Sequence, residues 1–256
     1  MSGSPVSRFT GRAGNYDRFR PDYPAELFQW LKAATGLGPG ARVADMGSGT
    51  GLFTELLLKE GFAVVAVEPN PDMRAQAEAR LGTVAGFTSS AGSAEHTGLD
   101  DRSIDLITAA QAFHWFSPAA VRPEFGRILK PGGHAVLVWN IQRDDKPFLS
   151  EYKALKEKYS EAMNHTHRAN LESIRDFFAP AIVNFQTFPH AHAFDRESLR
   201  GYLLSFSTTP LSGDARFDAM MQELDALFAR HQQDGVVQME YETKVYLAQI
   251  SSDGNP

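Results

Sequence analysis

Between Arg42 and Leu57 the chain reads RVADMGSGTGLFTELL. The run up to Met46 is apolar and too short for a helix, so it reads as a buried strand. The stretch LFTELLLKE repeats its apolar residues at helical spacing and stops at Gly61. Gly47, Gly49 and Gly51 stand between the two. They strip the turn of side chains just where a helix N-terminus presents unpaired N–H groups. Such a unit commits the chain to an α/β layer fold with a ligand held close to the backbone. It does not name the ligand. The dinucleotide fingerprint wants its third glycine where Leu52 stands, and a phosphate-binding loop wants a Lys after its glycines, which this chain lacks. Asp45, just ahead of the turn, disfavours a pyrophosphate and favours a cationic or zwitterionic ligand.

The units that follow repeat the theme. FAVVAVE reads as a strand and PDMRAQAEARL as a helix with Pro71 in its first turn. GFTSSAG is a weak strand, IDLITAAQ a strand, PAAVRPEFGRILK mainly helix and GHAVLVWN a strand. Apolar runs alternating with helices predict a doubly wound parallel sheet covered on both faces. Ahead of the glycines, residues 1–23 form a polar, Gly/Arg-rich arm. A helix opens at Pro24, with Leu27, Phe28, Trp30 and Leu31 on its apolar face. After Asn140 the pattern changes. Residues 145–180 are helical and polar, far longer than an ordinary connection of about 4–6 residues, and read as an inserted cap. VNFQTFPHAHAF alternates like a strand, ESLRGYLLSF and ARFDAMMQELDALFARH read as helices, and VQMEYETKVYLAQI closes as a strand. Residues 24–256 are expected to form one domain with this helical insertion.

Composition narrows the class. Of the 256 residues, 43% are hydrophobic and 22% charged, enough apolar material for a full core. A net charge of -6 argues against a nucleic-acid partner, whose affinity rests on neutralising phosphates. The absence of cysteine removes disulfides and thiolate metal sites and suits a reducing compartment. The N-terminal residues lack the apolar core of a leader, and no window approaches the roughly 20 apolar residues of a membrane span. The expected setting is cytoplasmic, without a membrane partner.

Glu68 closes the second strand, 17 positions beyond Gly51, where an acid can accept from both hydroxyls of a ribose. VADMGSGTG, VVAVEPNPDM, GSAEHTGLDDRSIDLITAAQAFHWF and RILKPGGHAVLVW then stand in that order over about residues 40–140. As a set they resemble the class I S-adenosylmethionine-dependent methyltransferases. Within that class they are similar to the small-molecule enzymes with a type 11 methyltransferase domain, the group that includes trans-aconitate methyltransferase. NYDRFRPDYP and AFHWF resemble the same branch. The resemblance implies a Rossmann-like, seven-stranded, mostly parallel sheet whose last two strands form an antiparallel C-terminal hairpin at one edge. It implies S-adenosylmethionine as cofactor and S-adenosylhomocysteine as product. By the same resemblance Asp45 and Gly47 hold the methionine ammonium, and Gly49 and Gly51 let the backbone pass close to the cofactor. Glu68 takes the ribose, Pro69 and Asn70 flank the adenine, and Gln111 and Ala112 lie near the sulfonium. Family members usually place an acid where Ser93 stands, followed here by Ala94 and Glu95. Ser93 offers one hydrogen bond and Ala94 its backbone.

Methyl transfer from a sulfonium is an in-line displacement, so the protein mainly positions the acceptor and excludes water. A carboxylate acceptor needs no base at neutral pH, whereas a hydroxyl does. His114, just after the fourth strand at the ligand edge of the sheet, is placed to act as that base or to orient the acceptor. Trp115 and Phe116 are expected to wall the acceptor pocket. Tyr16, Arg20 and Tyr23 are expected to fold over the cofactor as a lid, with Arg20 able to clamp a carboxylate. The competing reading makes His114, Trp115 and Phe116 packing residues and leaves Arg20 in solvent. The pairs His165/His167 and His190/His192 lack an acidic partner at useful spacing, and a metal site needs three or four ligands, so no metal is expected. KALKEKYSE reads as a solvated helix face. AQAFHWF lacks the Asn/Asp-Pro-Pro-aromatic motif of many amide and adenine N-methyltransferases. The expected partner is a small-molecule methyl acceptor, O-methylation being favoured and a carboxylate among the acceptors considered. The acceptor pocket is expected to be shaped by residues 145–180 and YLLSFSTTPLSG. The oligomeric state is not set by the sequence. Two rivals stand: a protein that binds the cofactor without transferring methyl, and a nicotinamide-dependent Rossmann oxidoreductase, against which Leu52 and RILKPGG count.

Overall fold

Strands that are apolar on both faces need cover on both faces. The computed structural model, which describes residues 19–160 and 171–250, supplies it. β1 (Arg42–Met46), β2 (Ala63–Val67) and β4 (Ile104–Ala110) are the most deeply buried strands. They alternate with α1 (Ala25–Thr35), α2 (Leu52–Lys59), α3 (Pro71–Leu81) and α4 (Pro118–Ile128). Local chemistry sets the helix ends. Asn70 caps α3 by accepting from the N–H groups of Asp72 and Met73 at 2.9 and 3.1 Å, with Pro71 behind it. α1 stops at Gly36, whose φ of +71° is the left-handed stop that glycine adopts freely. β3 (Phe87–Ser90) is short and half-exposed, as its Thr and Ser content predicts.

Among the described residues the sheet has seven strands in the order β3-β2-β1-β4-β5-β7-β6. β5 (Leu129–Gln142) runs parallel to β4, and β7 (Val237–Gln249) runs antiparallel to both β5 and β6 (Asn184–Phe194). The expected antiparallel pair therefore closes the sheet. Its connection is no tight turn but carries α7 (Arg196–Leu204) and α8 (Phe217–His231). β5 begins at Leu129, inside RILKPGG, because a register shift opposite Ile104 and Leu106 absorbs the irregular residues.

Two cores sandwich the sheet. On one face Phe125, Phe113, Phe177 and Phe178 pack with β1, β4 and β5. On the other, Leu27, Phe28 and Leu31 of α1 meet Phe53 and Leu57 of α2. A third core forms a cap from α5 (Pro147–Tyr159), α7, α8 and residues of β6 and β7. The helical stretch 145–180 thus divides. α5 joins the cap, but α6 (Leu171–Phe178) lies against α4 and β7. Ile174, Phe177 and Phe178 form a stripe at helical spacing that the sheet core buries. The cap core is as closed as the sheet cores, with Leu224 fully buried. Leu224→Ala should cost about 2–5 kcal/mol in urea unfolding. A loss under about 0.5 kcal/mol, the usual size for a surface change, would contradict a packed cap.

Candidate active site

Chain order reverses between β1 and β4, which are neighbours in the sheet, and ligands bind at the carboxyl ends of strands at such a switch point. Asp45 lies on β1 directly beside Thr108 of β4. Its carboxylate is 1% exposed and accepts hydrogen bonds from Thr108 Oγ1 at 2.7 Å and Thr54 Oγ1, on α2, at 2.6 Å. Burial pushes its pKa up to about 6, against the two hydroxyls, and the charge of Glu68 adds to the rise. The glycine turn follows. Gly47 has a φ of +66°, and a Cβ there would stand 2.8 Å from Cβ of Ala112. At Gly49, φ +58°, a Cβ would meet nothing within 4 Å. Gly51 differs. Its bare side faces Leu81 and Ala77 of α3, so it serves helix packing rather than an approach to the cavity.

Glu68 directly follows β2 and is buried. One carboxylate oxygen accepts from Gly49 N–H at 2.9 Å and the other from Asn70 N–H at 2.8 Å. Burial raises its pKa, opposed by those two N–H groups. Arg74 donates to its carbonyl oxygen at 2.8 Å. Ser93 and His96 exchange backbone hydrogen bonds in a tight turn, Ala94 is buried, and Glu95 accepts from Ser117 N–H at 3.1 Å at the start of α4.

A cavity of about 800 Å³ opens over the glycine turn. Asp45, Gly47, Gly49, Gln111, His114 and Trp115 line it, as do Arg20 and Tyr23 of the arm. Glu68, Pro69, Asn70, Ser93, Ala94, Glu95 and Ala112 lie outside its walls, and Glu68 reaches it only through Gly49. Gln111 holds a strained φ of +55° while its amide donates to Asn140 O at 3.0 Å. Phe116 corrects the sequence reading. It is buried behind the glycine turn against Phe113 and does not wall the cavity, because glycine at 47 leaves that volume to its ring. Tyr16 lies outside the described residues, as do His165 and His167. His190 stands 2.9 Å from Asp22. Among the described residues no three His, Asp or Glu side chains converge as a metal site, and no helix is long and apolar enough to cross a membrane.

The opposite wall comes from the cap: Lys153, Lys156, Glu157 and Ser160 with Tyr202, Phe206, Ser207 and Thr208. The face of α5 read as solvated therefore turns partly inward. Lys156 follows Tyr152 by four residues, on the edge of the buried stripe, and that spacing was the available signal. Thr54 and Thr108 were legible only as polar residues inside apolar elements.

Residues 44–137 match the family model described as a methyltransferase domain. Over these residues the chain carries a methyltransferase domain. It is 43% identical over 138 residues to an uncharacterized methyltransferase of Mycobacterium tuberculosis, covering 54% of each chain. The chain thus spans about half the length of the first curated relatives it matches. An uncharacterized methyltransferase-like protein of Schizosaccharomyces pombe is 24% identical over 94% of each chain. A solved structure, a proposed type II methyltransferase from Anaeromyxobacter dehalogenans, shares the fold with a TM-score of 0.69 at 23% identity, over 91% of this chain and 99% of that one. The matched stretch therefore takes in most of β1, all of β2 to β4 and most of β5, with the glycine turn and the cavity edge that carries His114.

Asp45 gives this domain a pH signature. Its folded pKa of about 6 exceeds the ordinary 3.8, so the native state binds its proton more tightly than the unfolded chain. The resulting cost is absent below pH 4, develops between 4 and 6 and is complete above 6, at about 3 kcal/mol. Asp45→Asn should make the ligand-free protein more stable than wild type at pH 7.5, by up to that amount, and lose the advantage at pH 4. Urea unfolding at both pH values checks this, and an advantage independent of pH would contradict it.

Proposed function

We propose that the protein is an S-adenosylmethionine-dependent methyltransferase acting on a small-molecule acceptor in the cytoplasm. We assign residues 24–256 to its domain and residues 1–23 to an N-terminal arm, of which Arg20 and Tyr23 line the cavity. The observation that carries this reading is the turn at Gly49, bare towards a cavity that also holds Asp45, with Glu68 fixed directly behind it.

The residues present fit the cofactor. The open side of Gly49 admits a ligand against the backbone. The buried Ser48 hydroxyl lines the cavity and has no hydrogen-bond partner among the described residues, which leaves a hydrogen bond for a polar ligand. Asp45, beside Gly47, would hold the methionine ammonium. Each oxygen of Glu68 accepts one backbone hydrogen bond and keeps capacity for a ribose hydroxyl. Pro69, Asn70, Ser93, Ala94 and Glu95 are assigned to the adenine end, and Gln111 and Ala112 to the sulfonium end. When bound, the cofactor supplies a methyl group already activated by its sulfonium. What remains for the chain is to align the acceptor and exclude water. Trp115 and the arm residues Arg20 and Tyr23 close the cavity sides. His114 would take the proton from a hydroxyl acceptor, or orient a carboxylate that needs no deprotonation. Oxygen is the favoured accepting atom.

Incubation with methyl-labelled S-adenosylmethionine and a panel of carboxylic acids and phenols should give labelled product and equimolar S-adenosylhomocysteine for one class. If phenols react, His114→Ala should slow them about 100-fold or more. Cofactor binding with no transfer to any acceptor would favour a binding protein instead. A cation beside Asp45 must also lower its pKa from about 6. S-adenosylmethionine binding should therefore release a proton near pH 6 and none at pH 8, and weaken as pH falls through 6. Calorimetry in buffers of different ionisation enthalpy measures this, and equal proton release at both pH values would count against an ammonium at Asp45.

A further inference from the structure

The cap side of the cavity carries chemistry that the cofactor does not use. Phe206, just after α7, holds two cations on one ring. The Arg20 guanidinium lies 4.2 Å and Lys156 Nζ 4.5 Å from its centroid. Arg20 is seated from the arm side, where the Phe19 ring fills the space left by Gly201 on α7. It also donates to Ser205 O at 3.4 Å. The other lysines of α5 are paired, Lys153 with Asp144 at 2.5 Å and Lys158 with Glu223 at 2.5 Å. Lys156 has no carboxylate within ion-pair distance among the described residues, although it is half-buried and lines the cavity. Two like charges gathered on one aromatic ring repel each other, and the Arg20 charge lowers the pKa of Lys156 accordingly; an anion within reach of both would relieve that. Ser160, Ser207 and Thr208 also line the cavity, with Thr208 Oγ1 donating to Ser160 Oγ at 3.1 Å.

We infer that Lys156 and Arg20, held on Phe206, form an oxyanion site that grips a carboxylate or phosphate group of the methyl acceptor and so selects acidic small molecules. The inference deepens the methyltransferase reading and rests on it. The gripped group is an anchor rather than the atom methylated, because cations pressed on an oxygen withdraw the electron pair that would attack. The reacting atom then lies towards His114 and Gly49, the other wall of the same cavity. The groups facing Lys156 fix the pH trend. Burial pushes its pKa down to about 8, Arg20 and Lys153 push the same way, and Glu157 opposes them. Loss of the ammonium as pH rises through 8 should weaken the anion.

The test is calorimetric titration of the S-adenosylhomocysteine complex with two matched sets. One is phenylacetate, phenylacetamide and phenyl phosphate. The other is glutarate, glutaramide and glycerol 2-phosphate. At least one anion should bind tenfold or more tightly than its amide, and the acid and phosphate arms show which oxyanion is preferred. Lys156→Met should cost that anion tenfold or more while S-adenosylhomocysteine affinity stays within twofold. Lys156→Arg should restore binding and remove its decline between pH 7 and 9. Amides that bind as well as acids, no anion bound below 10 mM, or an unchanged Lys156→Met would each overturn the inference. Failure of S-adenosylhomocysteine itself to bind would strike the methyltransferase reading, and the same titrations on the free protein would still decide the oxyanion site.

Discussion

One buried carboxylate organises this molecule. Asp45 sits in the middle of the sheet with its two oxygens tied to Thr54 on α2 and Thr108 on β4. Those bonds lock the strand, the helix after the turn and the neighbouring strand into one unit, so the glycine turn between them has a fixed path. The bonds do not fully offset the loss of water, which is why the acid titrates near 6. A negative charge kept partly desolvated at the wall of a cavity is a standing attraction for a cation. The same arrangement that lowers stability when empty raises affinity when filled, a trade common at functional sites.

Around that unit, on the proposed reading, two tasks fall to different cores. The sheet cores hold the glycine turn, Glu68 and His114, the parts that suit a common cofactor. The cap core holds α5, α7 and α8, whose inner edge supplies Lys156, Tyr202 and Phe206. The cavity lies between them and is roofed by the arm, through Phe19 against Gly201 and through Asn140, whose amide donates to Asp22 O at 3.0 Å. On the methyltransferase reading proposed above, acceptor preference can change through the cap without disturbing the turn.

The sheet was legible because its signals are local. RVADM, FAVVAVE and PDMRAQAEARL end where apolar runs stop and where Pro or Gly intervenes, and the structure starts and stops those elements within a residue or two. The wall residues Asp45, Gly49, His114 and Arg20 were legible from the pattern around the turn and from resemblance. Phe116 was misread because a pattern cannot say which side of a short turn a ring falls on. The cap was legible only as helical segments. α6 leaves it for the sheet because its apolar stripe matches that core, a choice settled by long-range packing. Lys156 looked like one more charge on a polar helix, since pairing and burial depend on partners about 50 residues away, at Phe206, and in the arm.

The most direct test of the account is calorimetric titration with S-adenosylhomocysteine, alongside NADH, of the wild-type protein, Gly49→Val and Glu68→Ala. Gly49→Val fills the open side of the turn, and Glu68→Ala removes the acid that fixes it. The account predicts micromolar binding of S-adenosylhomocysteine by the wild type, loss of at least tenfold in each variant, and no binding of NADH. Binding of NADH in place of S-adenosylhomocysteine, or equal S-adenosylhomocysteine affinity in all three proteins, would contradict it.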